Sequence, residues 1–267
     1  MTSTTQASSL WLGRRKLVPH ARLRLFCFPY AGGTAQIYRQ WPDYLPTDVE
    51  VCSIQLPGRG SQLQQPAFTR LLALVEPLTE TIARHLDKPF VFFGHSMGAL
   101  IGFEVARRLR REGRREPEGL FVSGRRAPQI DEPEPVTFNL PDAELLDELR
   151  RLNGTPEEVL DNPDLLQLML PILRADFEVC QTYSYTSEPP LGYPIWALGG
   201  MQDKDVPFDH LKAWRDQTAG QFELLMFPGD HFFLHSSQSL LLRAISGELQ
   251  RLAQGAGRNQ RPGATPL

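Results

Sequence analysis

The sequence is poor in cysteine. Three occur in 267 residues, Cys27, Cys52 and Cys180, and no two are close together. This argues against a disulfide-stapled scaffold and against a cysteine-cluster metal site. Two of the three fall inside predicted strands, which points to buried free thiols. A basic tract interleaved with aromatics is also missing, and the formal net charge is only −3, so no nucleic-acid partner is indicated. No apolar run approaches the length of a membrane span. Near the N-terminus only Leu10, Trp11 and Leu12 are apolar together, and the basic residues follow them where a signal peptide would have them first. No internal repeat is visible. These absences favour a cytoplasmic enzyme that uses neither membrane nor nucleic acid, with a monomer as the default expectation.

What is present is ordinary for a globular protein: 41% apolar and 22% charged residues, and a length suited to one large α/β domain with an insertion. The most informative stretch is Pro89 to Leu100. Phe90 to Phe93 is an unbroken apolar run, as expected of a strand buried on both faces of a parallel sheet. Gly94-His95-Ser96-Met97-Gly98 then fits Gly-x-Ser-x-Gly, the strand-to-helix elbow that holds a nucleophilic serine clear of the sheet. Leu100, Ile101, Val105 and Leu109 continue at helical spacing. A helix starting just after Ser96 aims its partial positive charge at the reacting centre.

Elsewhere the pattern alternates strand and helix. Residues 1–20 read as a mobile lead-in, with Trp11 and Leu12 packed on the body. Strands are predicted over Arg22–Phe28, Val49–Leu56, Gly119–Ser123, Pro194–Leu198 and Phe222–Phe227. Helices are predicted over Thr34–Leu45 (broken at Pro42), Phe68–Leu86, Phe208–Thr218 and Gln238–Leu252. From about residue 128 to 190 prolines and acidic residues accumulate and only helices are expected, over Asp142–Arg151 and Pro163 to about Tyr183. Such an insertion reads as a lid. Leu165, Leu166, Leu168, Met169, Leu170, Ile172, Leu173 and Phe177 are apolar beyond one stripe, which suits core packing, an acyl pocket, or a division between them. The domain itself spans 21–254, and residues 255–267 read as a disordered tail.

Three candidate residues share one placement. Ser96, Asp203 and His231 each fall just past the carboxyl end of a predicted strand, where an open parallel sheet gathers its ligands. The order Ser, Asp, His is that of α/β-hydrolases. A serine hydroxyl is a weak nucleophile at neutral pH and needs a base. His231 suits that base, and Asp203 would orient its ring, ahead of its rivals Asp205 and Asp209, because it lies nearest the strand end. Asp230 suits a turn cap, and the side chain of His95 should point away from Ser96. The loop Pro29-Tyr30-Ala31-Gly32-Gly33 ends the first strand. It makes the backbone N–H groups of Ala31 and Met97 the candidate oxyanion donors. His231 and His235 have the spacing of a helical metal pair, but no Glu or third ligand accompanies them, so no metal is expected.

With these residues in place the sequence resembles the type II thioesterases of polyketide and non-ribosomal peptide assembly lines, relatives of animal medium-chain acyl-carrier-protein thioesterases. The resemblance runs from about Leu23 to Leu252. It rests on Phe28-Pro29-Tyr30-Ala31-Gly32-Gly33, Gln55-Leu56-Pro57-Gly58-Arg59, Gly94 to Ala99, Val122 to Pro128, Gly199-Gly200 with Asp203, and Gly229-Asp230-His231-Phe232-Phe233. Many members have His where this chain has Tyr30. The resemblance implies an α/β-hydrolase fold: a mostly parallel sheet, flanking helices and a helical lid. It also implies hydrolysis of aberrant or misprimed acyl groups from the phosphopantetheine thiol of acyl or peptidyl carrier-protein domains, through an acyl-Ser96 intermediate and without metal or cofactor. A carboxylesterase or acyltransferase on the same scaffold and a non-catalytic carrier-binding module are the alternatives.

Overall fold

Phe26, Phe28, Phe90, Phe92, Leu120 and Val122 face one side of the sheet, whereas Leu23, Leu25, Val91, Phe93 and Phe121 face the other. Successive side chains of a strand point to opposite faces, so an unbroken apolar run supplies two cores at once. The computed structural model describes residues 11–13, 18–131, 136–155 and 157–258. Within them six strands form one sheet: β1 (Leu23–Phe28), β2 (Val49–Ser53), β3 (Phe90–His95), β4 (Leu120–Ser123), β5 (Ile195–Gly200) and β6 (Phe222–Phe227). Their order is β2-β1-β3-β4-β5-β6, and every neighbouring pair is parallel. The helices α1 (Leu71–Ala83) and α2 (Met97–Arg111) cover the first face, and α8 (Gln238–Arg258) covers the second. No helix among the described residues is long and apolar enough to cross a membrane.

Between β4 and β5 lie α3 (Asp142–Leu152), α4 (Glu157–Leu160) and α5 (Pro163–Gln181). They share a small core of Leu145, Leu149, Leu160 and Leu173. Helix α5 starts where the sequence marks a start: the Asn162 side chain accepts from the amides of Asp164 and Leu165, and Pro163 occupies the first helical position. Of the eight apolar residues singled out in this helix, Leu165 and Leu168 are exposed and Leu173 is buried. The last helices are α6 (Phe208–Lys212), α7 (Phe233–Ser236) and α8.

Several expectations need correction. The helix over Thr34–Leu45 is instead two 3-10 turns, Ala35–Tyr38 and Trp41–Asp43. Pro42 cannot donate to a continuous helix. Tyr38 and Trp41 are pulled into the core as an edge-to-face pair 4.9 Å apart, and the Tyr38 hydroxyl donates to the Phe28 carbonyl at 2.6 Å. The helix expected over Phe208–Thr218 divides into α6 and a 3-10 turn, Ala213–Gln217. α4 and α7 lie where the sequence pattern predicts no helix. Helix α8 runs on to Arg258, so the first positions of the expected disordered tail are helical. The rest of that tail (259–267) and most of the lead-in (1–10 and 14–17) lie outside the described residues. Trp11 does pack on the body, 6.1 Å from the Phe68 ring, and Leu12 bridges to Ile54. All three cysteines are free and buried.

Candidate active site

Four strand ends meet on one edge. β3 delivers Ser96, whose backbone stands at φ 52° and ψ −118°, a strained conformation for a residue with a side chain. The glycines on either side have a steric cause. A Cβ on Gly94 would lie 2.1 Å from the Gly98 carbonyl oxygen, and one on Gly98 would lie 2.1 Å from that of Phe28. Backbone therefore packs on backbone, and the Ser96 amide donates to the Ser123 carbonyl of the next strand at 2.7 Å. Met97 opens α2, so its N–H is among the first-turn donors that have no partner within the helix.

Asp203 follows β5 and His231 follows β6. The Asp203 Oδ2 accepts from His231 Nδ1 at 2.8 Å, while its Oδ1 accepts from the amides of Asp205 (2.9 Å) and Val206 (3.1 Å). The Asp203 side chain is only 1% exposed. Of its rivals, Asp205 pairs with Arg151 at 2.8 Å and Asp209 is exposed. Asp230 caps its own turn through the Phe232 amide (2.9 Å) and accepts from Asn153 Nδ2 (3.0 Å).

His95 is wholly buried. Its Nδ1 lies 2.9 Å from Ser123 Oγ, and its ring packs 5.2 Å from that of His231. Burial pushes its pKa well below the ordinary histidine value, so the ring is neutral. Tyr30 stands with its hydroxyl 3.0 Å from His235 Nε2. Burial raises the pKa of Tyr30 and lowers that of His235. His231 and His235 therefore each have a side-chain partner. Among the described residues no group of three or more His, Cys, Asp or Glu converges in a way that would hold a metal.

Ser96, His231 and Ala31 line one cavity of about 760 Å³. Its apolar wall includes Leu140 and Leu149, with Leu173, Phe177 and Cys180 from α5; its polar rim includes Arg126, Glu144 and Arg151. Two residues that received no role from the sequence stand close by. Arg59 and Asp176 form a buried ion pair, with Arg59 Nη2 donating to Asp176 Oδ1 at 2.7 Å, and Asp176 Oδ2 accepts from the Gly32 amide at 2.7 Å. The sequence signal was half present: Arg59 belongs to a motif that carried the resemblance, but nothing in the chain pointed to its partner.

A parallel sheet that presents a strained Ser on an elbow, and an Asp–His pair at later strand ends, defines an α/β-hydrolase. The Thioesterase domain family matches residues 23–249. The chain is 46% identical to the protein named linear gramicidin dehydrogenase LgrE of Brevibacillus parabrevis, over 96% of this chain and 98% of that one. Among solved structures it is similar to the RedJ thioesterase of the Streptomyces coelicolor prodiginine pathway (TM-score 0.83, 37% identity, 88% of this chain and 94% of that one). It is also similar to BorB, the type II thioesterase of the borrelidin cluster (TM-score 0.82, 35% identity, 90% and 98%). The chain belongs to the Thioesterase family.

Proposed function

We propose that this thioesterase is an editing enzyme. It hydrolyses aberrant or misprimed acyl groups from the phosphopantetheine thiol of carrier-protein domains in polyketide or non-ribosomal peptide assembly. The observation that carries the chemistry is the Asp203–His231 hydrogen bond on the same cavity wall as the strained Ser96. With Nδ1–H committed to Asp203, the His231 Nε2 is left as the acceptor. It takes the Ser96 proton as Oγ attacks the thioester carbonyl and gives it to the departing thiolate. Water then attacks the acyl-Ser96 carbonyl while Nε2 takes its proton; as the bond to Oγ breaks, Nε2 returns that proton to Ser96, and the free acid leaves. The amides of Ala31 and Met97 stabilise both oxyanions by a few kcal/mol each, about 2.7–4 per donor. No step needs a metal or cofactor.

The segment 128–190 serves as the lid, and the acyl chain lies along Leu149, Leu173 and Phe177. The carrier substrate is supported by two similar solved structures, ClbQ from the colibactin NRPS/PKS pathway and YbtT, a type II thioesterase from the yersiniabactin NRPS/PKS pathway. The dehydrogenase in the name of LgrE does not transfer. β1 runs into Pro29-Tyr30-Ala31-Gly32-Gly33, not into the Gly-x-Gly-x-x-Gly turn that cradles a dinucleotide. Buried free thiols suit a cytoplasmic enzyme, and a monomer suffices, since one chain supplies every proposed catalytic group.

The test is release of free acid from an acetyl- or short-acyl-loaded carrier protein, by wild type and by Ser96→Ala. Turnover by the wild type and its loss in a folded Ser96→Ala are expected. Equal turnover by both removes Ser96 as nucleophile. Cleavage of matched oxygen esters with none of the carrier thioester makes the chain an esterase and removes the editing role.

A further inference from the structure

Helix α5 reaches past the acyl cavity and grips the loop that follows β1. Asp176 and Leu173, one helical turn apart, both face that loop. The Leu173 Cδ2 lies 2.7 Å from where a Cβ on Gly32 would stand, and Asp176 Oδ2 accepts the Gly32 N–H at 2.7 Å. Asp176 is itself braced by Arg59, and each side chain of the pair is only 4% exposed. Arg59 is fixed in turn: its Nε donates to the Pro57 carbonyl at 3.3 Å, and its own carbonyl accepts from Gln55 Nε2 at 3.0 Å. Gln55 Oε1 accepts the Ala35 amide, on the far side of the same loop, at 3.2 Å.

A buried ion pair is a poor source of net stability, because desolvating two charges cancels much of their attraction. This one has a further consequence. The peptide unit joining Ala31 to Gly32 carries the amide that Asp176 holds, and the adjoining peptide unit carries the Ala31 N–H. Fixing the first restricts the rotation of the second.

We infer that Asp176, braced by Arg59, is a positioning residue that aims the Ala31 amide at the developing oxyanion. The lid helix thereby completes the oxyanion hole as well as covering the acyl chain. This rests on the assignment of Ser96 and of the Ala31 amide made above. A hydrogen-bond donor that loses its aim by a fraction of an ångström affects the transition state more than the ground state, so the effect belongs in kcat.

Two paired replacements separate positioning from mere stability. Arg59→Met with Asp176→Leu exchanges the ion pair for apolar groups and removes the acceptor for Gly32. Arg59→Gln with Asp176→Asn is equally uncharged but keeps a carbonyl oxygen beside the Gly32 amide. Each is assayed for carrier-bound acyl hydrolysis beside wild type and Ser96→Ala, with melting temperature and amide hydrogen exchange at Gly32. The expected result for the Met/Leu protein is a kcat lowered about tenfold to a hundredfold with KM within threefold, and a faster Gly32 exchange. The Gln/Asn protein is expected to recover at least tenfold of that loss and to keep Gly32 protected.

A folded Met/Leu protein with wild-type kcat overturns the inference. So does a Gln/Asn protein that folds, protects Gly32 and still has a kcat more than tenfold below wild type; this second outcome is read against wild type and decides the matter even if the Met/Leu protein does not fold. Failure of the catalytic assignment shows separately, as a Ser96→Ala protein with undiminished turnover.

Discussion

Replacing Asp203 by Asn changes one atom and should disable the enzyme while leaving its fold in place. The reason lies in how the carboxylate is held. Its Oδ1 accepts two backbone amides, those of Asp205 and Val206, at 2.9 and 3.1 Å, and its Oδ2 faces His231 Nδ1 at 2.8 Å. An Asn has one oxygen for three donors. Turning its NH2 towards the two amides would leave two buried donors unpaired, at about 1–3 kcal/mol each, or about 2–6 kcal/mol in all. The oxygen therefore stays with the backbone, and the NH2 points at His231 Nδ1. The ring must then accept at Nδ1 and carry its proton on Nε2, where it cannot take one from Ser96. At about 1.4 kcal/mol per decade the working tautomer falls by a factor of roughly 30 to 10⁴. The imidazolium also loses its counter-charge. The expected outcome is a kcat lowered by about three to four orders of magnitude, with KM little changed and a melting temperature within a few degrees of wild type. Nitrogen NMR of the His231 ring reads the tautomer directly. Asp203→Ala should lose the turn cap as well and melt earlier. An Asp203→Asn enzyme with more than a tenth of wild-type kcat, or with the proton still on Nδ1, would refute the reasoning.

The return from the lid to β5 should be acid-sensitive. Burial works against the charge on Glu188, but ion pairs with Arg107 (2.7 Å), Arg110 (2.9 Å) and Arg111 (2.5 Å) outweigh it and hold the carboxyl at about 2. Its folded pKa is below the ordinary value of 4.5, so its contribution is complete above about pH 4.5 and is lost as pH falls towards 2. Melting curves over this range should slope less for Glu188→Gln than for wild type, and the variant should melt earlier at pH 7. At the elbow, a Cβ at Gly98 meets only backbone: the Phe28 oxygen at 2.1 Å, its carbonyl carbon at 2.6 Å and the Pro29 oxygen at 2.8 Å. Gly98→Ala should cost at least about 3 kcal/mol, lower the melting temperature by about 6–12 °C and reduce kcat. Gly102→Ala, one turn later, meets the Phe28 ring edge at 3.3 Å and gains helix propensity, so its melting temperature should stay within a few degrees of wild type.

The parts of this molecule that could be read from sequence are those whose cause is local. The elbow is legible because a tight turn demands its glycines within five residues, and because a strand buried on both faces must be apolar throughout. Asp203 and His231 are legible because a parallel sheet delivers its loops to one edge, so proximity to a strand end stands in for proximity in space. Where the cause is tertiary, the local pattern misleads. Trp41 and Tyr38 look like one face of a helix, but their burial against Phe93 and the Phe28 carbonyl decides the backbone there. The expectation ended β5 at Leu198 because Gly199 and Gly200 look like a turn. A parallel ladder needs only backbone, and both residues pair, with Met226 and Phe227.

The same distinction explains why Asp176 was invisible. In α5 it stands three residues after Leu173 in a run of apolar and acidic residues, and an Asp on a helix is most simply read as solvated. Its meaning lies 117 positions away in Arg59 and 144 positions away in Gly32. Arg59 is no better placed to reveal the link, since an Arg after Pro-Gly reads as a loop charge. Each charge alone is expensive to bury, and the two become tolerable only when the fold brings them together and a backbone amide takes the remaining acceptor. A lid helix that carries such a charge into the body is committed to one seat above the β1 loop. Leu173 supplies the apolar half of that seat, and its side chain also lines the cavity that Ser96 and His231 share. In the proposed mechanism, substrate contact and the aim of the Ala31 amide thus pass through the same turn of helix. That arrangement requires the lid to be built into the sheet side of the site, which hydrophobic periodicity along the chain cannot express.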